Sequence, residues 1–226
     1  MLSKILDLFY PQLCFACEEV PLMKGTSICT SCEYKIRPTE YHLREENPVS
    51  ERFWGRVKLE RATSAFSFMK GGLLQNLIHK LKYENKPQIG VELGRMYAAM
   101  LLEDDFWKSV DYIIPVPLHP KKRHERGYNQ AELWAMGLSE GLGVDWTDQF
   151  LVRRDYTETQ TKKSRMERFQ NVENAFEVPD GTKIEGKHLL IVDDVLTTGA
   201  TLEACALTLL KVPNVSISIA CIALAG

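Results

Sequence analysis

No stretch of this 226-residue chain is apolar for long enough to cross a bilayer, so membrane insertion is not expected. No charge of one sign dominates: 28 Lys and Arg face 30 Asp and Glu, for a net charge of −2. That balance excludes a global electrostatic pull toward nucleic acid or anionic lipid, and leaves such a role to local basic patches. Internal repeats and low-complexity segments are missing, which excludes a solenoid. The opening run Met1 to Phe9 is apolar but short. It carries Asp7 and is followed by Cys14, not by a small-residue cleavage site. It reads as a short helix and not as a signal peptide, so the expected location is cytoplasmic, with reduced cysteines.

Two textures follow one another. Residues 1–60 hold four of the six cysteines, many charges and little periodicity, too little apolar pattern to bury a core alone. Residues 61–226 alternate strand-like and helical runs. The spacing predicts strands at Thr63–Phe68, Tyr112–Val116, Leu189–Val192 and Val215–Ala223. It predicts helices at Leu73–Leu81, Val91–Leu102, Asn129–Gly141 and Thr201–Lys211. The stretch from Pro117 to Tyr128 reads as a loop, and residues 153–171 as a loop or exposed helix. Alternating strands and helices imply a parallel α/β sheet flanked by helices. Cys205 and Cys221 read as small core residues.

Cys14-x2-Cys17 and Cys29-x2-Cys32 are separated by eleven residues. Each CxxC turn sets two thiolates on one side of a tight loop, and two facing turns make the tetrahedral sulfur cage that Zn²⁺ prefers. Iron–sulfur ligation and four unrelated buried cysteines are the alternatives. With all four ligands supplied by protein, a zinc ion there would be structural, forming a small zinc-ribbon lobe.

The run Leu189–Val192 leads to Asp193, Asp194, and then to Thr197, Thr198, Gly199, Ala200 and Thr201 at the start of a helix. Ligands of open α/β sheets bind at that carboxyl edge. Main-chain N–H groups at the helix start, with the Thr197, Thr198 and Thr201 hydroxyls, form a cradle for a phosphate. Gly199 removes a Cβ where backbone would approach an anion. The paired carboxylates suit two ribose hydroxyls, and one suits a share in Mg²⁺, a hard cation. The bland alternative is a solvated acidic pair before an N-cap threonine.

The string from Leu190 to Thr201 resembles the motif that binds 5-phosphoribosyl-1-pyrophosphate (PRPP) in type I phosphoribosyltransferases. The resemblance implies that Asp193 and Asp194 hold the ribose hydroxyls, and that the loop Thr197–Thr201 holds the 5′-phosphate. It further implies that the basic segment Lys121, Lys122, Arg123 and Arg126 grips pyrophosphate, with Arg126 foremost beside Gly127. Lys82, near the end of the first helix, is a further phosphate-facing candidate. The segment with Arg153, Arg154, Gln160, Thr161, Lys162, Arg165, Arg168 and Asn171 resembles the mobile catalytic loop of these enzymes. A lid suits the chemistry, because an oxocarbenium-like ribosyl centre must be kept from water and its leaving group needs cations.

The order of features is similar to that of the ComF family: a four-cysteine lobe, Lys82-Tyr83, Arg126-Gly127-Tyr128-Asn129-Gln130, Gln160-Thr161, then the PRPP turn. The string Gln160-Thr161-Lys162-Lys163-Ser164 departs from that family's usual Gln-x-Gly-Leu-Ser at its middle positions. Residues 34–60 carry no usable motif. The implied activity is that of a glycosyltransferase, moving phosphoribosyl from Mg-PRPP to an unidentified, nitrogen-bearing acceptor with release of pyrophosphate. Arg126, Arg154, Lys162 and Arg168 are its catalytic candidates. The alternative is a non-catalytic PRPP- or nucleotide-binding accessory factor in competence DNA uptake. It would contact single-stranded DNA through basic residues with Tyr128 and Tyr156, or bind proteins of the competence machinery.

Overall fold

The computed structural model describes residues 11–154 and 175–225. Strands β1 (Ala62–Ser67), β2 (Tyr112–Pro115), β5 (His188–Leu196) and β6 (Ser216–Leu224) form one sheet in the order β1-β6-β5-β2. Every pairing in it is parallel. The helices are α1 (Thr30–Lys35), α2 (Leu73–Tyr83), α3 (Gln88–Leu101), α4 (Pro120–Arg126), α5 (Gln130–Leu142) and α6 (Ala200–Leu209). Strands β3 (Val152–Arg153) and β4 (Phe176–Glu177) make a separate antiparallel pair.

Alternation along the central strands splits the core in two. Leu190, Val192, Ala220 and Ile222 face the layer of α2, α3 and α5. Leu189, Ile191, Ile217, Ile219 and Cys221 face α6. Burial on both faces is why these strands read as continuous apolar runs. Cys205 and Cys221 are fully buried, as expected.

Glycines let α3 and α5 pack backbone to backbone. A Cβ on Gly94 would stand 2.6 Å from the Trp134 carbonyl oxygen, and one on Gly137 would stand 2.0 Å from that of Val91. The cysteine lobe packs on the same side: Cys14, Phe15, Ile28 and Ile36 share the apolar cluster of Leu74, Leu77 and Leu81. Its chain then runs beside β1, where the Thr39 N–H donates to the Ala65 carbonyl and the Ser67 N–H to that of Arg37.

Two expectations need correction. The basic segment after β2 is the helix α4 and not a loop. Pro120 occupies its first turn, the His119 side chain accepts from the Lys121 N–H, and Gly127 closes it at φ +79°. These are ordinary start and stop signals, overlooked because the segment has no apolar face to bury. Strand β5 also continues past Val192 to Leu196, so Asp193 and Asp194 lie within the strand and not in the bend. The cause is β6, which pairs with Asp193, Val195 and Leu196 through Cys221, Ala223 and Leu224.

Candidate functional site

At the carboxyl end of β5 the two acids are fixed from their own backbone. Asp193 Oδ1 accepts from the Asp194 N–H at 2.8 Å, and Asp194 Oδ1 from the Val195 N–H at 2.6 Å. Lys82, in the last turn of α2, reaches across so that its Nζ lies 2.9 Å from Asp194 Oδ1 and 2.8 Å from Oδ2. Burial, and then the charge of Asp194, push the Asp193 carboxyl up to about 7, against the opposing pull of Lys82 and Arg126. A buried carboxyl with a second carboxylate beside it favours hydrogen-bond donors or a cation at this edge of the sheet.

The chain then turns. The bend at Thr197–Gly199 and the first turn of α6 enclose a small hollow of about 40 Å³ lined between Asp193 and Leu202. Gly199 is the N-cap of α6 at φ +81°, with no side chain capping the helix. The first-turn amides lack an intrahelical acceptor, and the one side-chain contact they make is a long one, from the Ala200 N–H to Thr198 Oγ1 at 3.5 Å, which leaves the helix start open to an anion. The need for glycine has a second source that differs from the expected approach of an anion. A Cβ at Gly199 would meet Phe53 Cε1 at 3.1 Å.

Around this hollow the other candidate residues divide. Arg126 donates from Nη1 to Gln130 Oε1 at 2.8 Å and lies over the Tyr83 ring at 5.6 Å. Its charge reaches Asp193. Arg123 is committed to Glu132, with Nη1 and Nη2 at 2.9 and 3.2 Å from the two carboxylate oxygens. Arg154 pairs through Nε with Glu177 at 2.6 Å on the β3–β4 ribbon. Lys121 and Lys122 are exposed on α4. Tyr128 is partly spent on structure, its hydroxyl donating to the Leu81 carbonyl at 2.7 Å. Tyr156, Gln160, Thr161, Lys162, Arg165, Arg168 and Asn171 lie outside the described residues.

Residues 34–60 contribute what sequence reasoning missed. Phe53 is buried against Gly199. Arg56 donates from Nη1 to the Thr198 carbonyl at 3.1 Å and pairs with Glu203 in the first turn of α6. No local pattern marks either residue, since each acts on groups more than a hundred positions away.

In the cysteine lobe the sulfurs of Cys14, Cys17, Cys29 and Cys32 all lie within 4.8 Å of one another. None forms a disulfide. The Cys29 N–H donates to Cys14 Sγ at 3.2 Å. Backbone N–H groups of Glu19 and Val20 push the Cys17 thiol down to about 7. Four converging sulfurs with main-chain donors aimed at them can hold a metal ion such as zinc. Among the described residues, no helix is long and apolar enough to cross a membrane.

Residues 129–226 match the model of the phosphoribosyl transferase domain. The DNA utilization protein YhgH of Salmonella typhimurium is 33% identical over 154 residues, covering 66% of this chain and 66% of that protein. The chain thus spans about two thirds of that relative's length. Competence protein F of Haemophilus influenzae is 28% identical over 212 residues, 90% of this chain and 93% of that protein. Competence protein ComFC of Streptococcus pneumoniae is 32% identical over 112 residues, 49% of this chain and 47% of that protein. The matched domain contains β5, the acid pair, the phosphate-type loop and α6, which are the parts the site is built from. The chain belongs to the ComF family of proteins that carry a phosphoribosyl transferase domain.

Proposed function

We propose that this protein binds PRPP at the end of β5 and transfers its phosphoribosyl group to a nitrogen nucleophile, releasing pyrophosphate. The observation that carries the reading is the sequence of groups along one bend. The adjacent acids Asp193 and Asp194 are followed directly by the glycine-capped helix start at Thr197–Thr201. The first suits a vicinal diol and the second a phosphate dianion, the two polar ends of a ribose 5-phosphate.

The 5′-phosphate would sit in the hollow below α6, held by main-chain N–H groups and the threonine hydroxyls. Asp193 and Asp194 would accept from the 2′- and 3′-hydroxyls, with Lys82 withdrawing from the Asp194 oxygens it now engages and turning toward phosphate. Arg126, held by Gln130 and Tyr83, would face the pyrophosphate. Binding and orientation of this kind supply most of the acceleration in such a transfer, because the ribosyl centre dissociates without a protein nucleophile. The carboxylates fit a Mg²⁺ ion carried with the ligand, whose chemistry is to neutralise the departing pyrophosphate. Lys162, Arg168 and Arg154 remain candidates for closing cations over the same centre. Zn²⁺ in the four-thiolate cluster would be structural, since no open coordination position is left.

The test is to incubate zinc-loaded protein with Mg-PRPP and a panel of purine and pyrimidine bases, amines and amides, and to measure pyrophosphate release. Acceptor-dependent release that is lost in Arg126→Met is expected. Tight PRPP binding with no release for any acceptor contradicts the transferase reading. It would favour the accessory role in DNA uptake, in keeping with the names of the relatives.

A further inference from the structure

We infer that Arg56, in the segment joining the cysteine lobe to β1, is a positioning residue for the phosphate loop. The inference rests on the reading of Asp193–Thr201 as a ribose-phosphate site.

Arg56 makes a fork across the back of the loop. Its Nη1 donates to the Arg52 carbonyl at 2.9 Å and to the Thr198 carbonyl at 3.1 Å, while its Nη2 pairs with Glu203. Phe53, one turn earlier, closes on Gly199 from the same segment. Neither side chain lines the hollow. A trans peptide is planar, with its C=O and N–H pointing in opposite directions. Anchoring the Thr198 oxygen on Arg56 therefore turns the Gly199 N–H away from Arg56, to the side of the loop that Arg56 leaves free. Gly199 adopts φ +81°, in a region where glycine has alternatives of similar energy, so the loop needs an outside restraint to keep one of them.

The second action is electrostatic. Glu203 lies in the first turn of α6, where its negative charge competes with an incoming phosphate dianion. The guanidinium cancels that charge where the cradle must be attractive. The fork also makes the cysteine lobe's connecting segment part of the phosphate site, although the two are distant in sequence.

Binding of PRPP and of ribose 5-phosphate is measured by calorimetry in Mg²⁺ for wild type, Arg56→Met, Arg56→Lys and the double variant Arg56→Met/Glu203→Gln. In Arg56→Met both ligands are expected to weaken by the same factor, about tenfold, because both share the 5′-phosphate. Arg56→Lys, which keeps charge but not the fork, is expected to fall between. The double variant is expected to recover part of the loss, a response that a merely structural contact would not give. The pair is partly exposed, at 36% for Arg56 and 22% for Glu203, so unliganded melting should change by only about 2 °C. Wild-type affinity for both ligands in Arg56→Met overturns the inference alone, as does a loss confined to PRPP. Should Arg56→Met fail to fold, undiminished binding by Arg56→Lys overturns it. Absence of binding by the wild type overturns the ribose-phosphate reading and the inference with it.

Discussion

Replacing Asp193 with asparagine should make the unliganded protein more stable at neutral pH while removing its ligand. Asn keeps the side-chain oxygen that accepts from the Asp194 N–H, so the local hydrogen bond survives. It deletes the acid that burial and the neighbouring Asp194 push up to about 7, from an ordinary value of 3.8. The sign follows from proton counting. Between those two values the folded chain holds a proton that the unfolded chain has released, so this acid's contribution is fully present below pH 3.8 and is lost as pH rises to about 7. A shift of this size corresponds to an upper bound of about 4 kcal/mol, and solvent access at the edge of the sheet reduces it to about 2 kcal/mol. For a chain of this length that is about 4–8 °C in melting temperature. The assay is a series of urea or thermal melts of both proteins from pH 4 to 8. The Asp193→Asn advantage should be near zero at pH 4, grow with pH and level off above 7. A difference that is flat across this range, or a variant less stable than wild type at pH 8, would refute the reasoning. A group that costs stability and is nonetheless built into the sheet edge is the mark of a binding site.

Three further outcomes are expected. Gly137→Ala forces a Cβ to within 2.0 Å of the Val91 carbonyl, so α3 and α5 must separate, and urea melts should show a loss of about 3 kcal/mol or more. His42 is buried with both ring nitrogens unpartnered among the described residues, and burial holds its imidazole below the ordinary 6.5 in spite of Glu103, Asp104 and Glu40. The unfolded chain therefore takes up a proton first as pH falls through 6.5, stability drops, and His42→Leu should remove that part of the acid slope in melts between pH 7.5 and 5. Elemental analysis should find one zinc per chain, and strong chelation should lower the melting temperature and expose the lobe to proteolysis, whereas Cys32→Ser should do the same without a chelator.

The features legible in the sequence are those written in consecutive residues. Leu189–Val192 announces a strand buried on both faces, and Asp193 to Thr201 announces a candidate site because strand, acids, glycine and helix start are contiguous. The paired CxxC turns likewise declare a cluster before any fold is known. What was hidden depends on the sheet bringing distant segments together. Lys82 meets Asp194, and Arg56 meets Thr198 and Glu203, only because the end of α2 and the stretch around Phe53–Arg56, before the chain enters β1, are brought to the carboxyl edge of β5. The close approach of α3 to α5 at Gly94 and Gly137 is hidden for the same reason. The helix α4 is a different case, since its signals were local, and an all-polar helix simply offers no periodic apolar face to find.

The most direct test of the central claim is a structure of the zinc-loaded protein soaked with Mg²⁺ and ribose 5-phosphate. The account requires the phosphate within hydrogen-bonding distance of the main-chain N–H groups at Thr198–Thr201, and the 2′- and 3′-hydroxyls on Asp193 and Asp194. A ribose 5-phosphate bound elsewhere, or seated with its phosphate away from the start of α6, would contradict it.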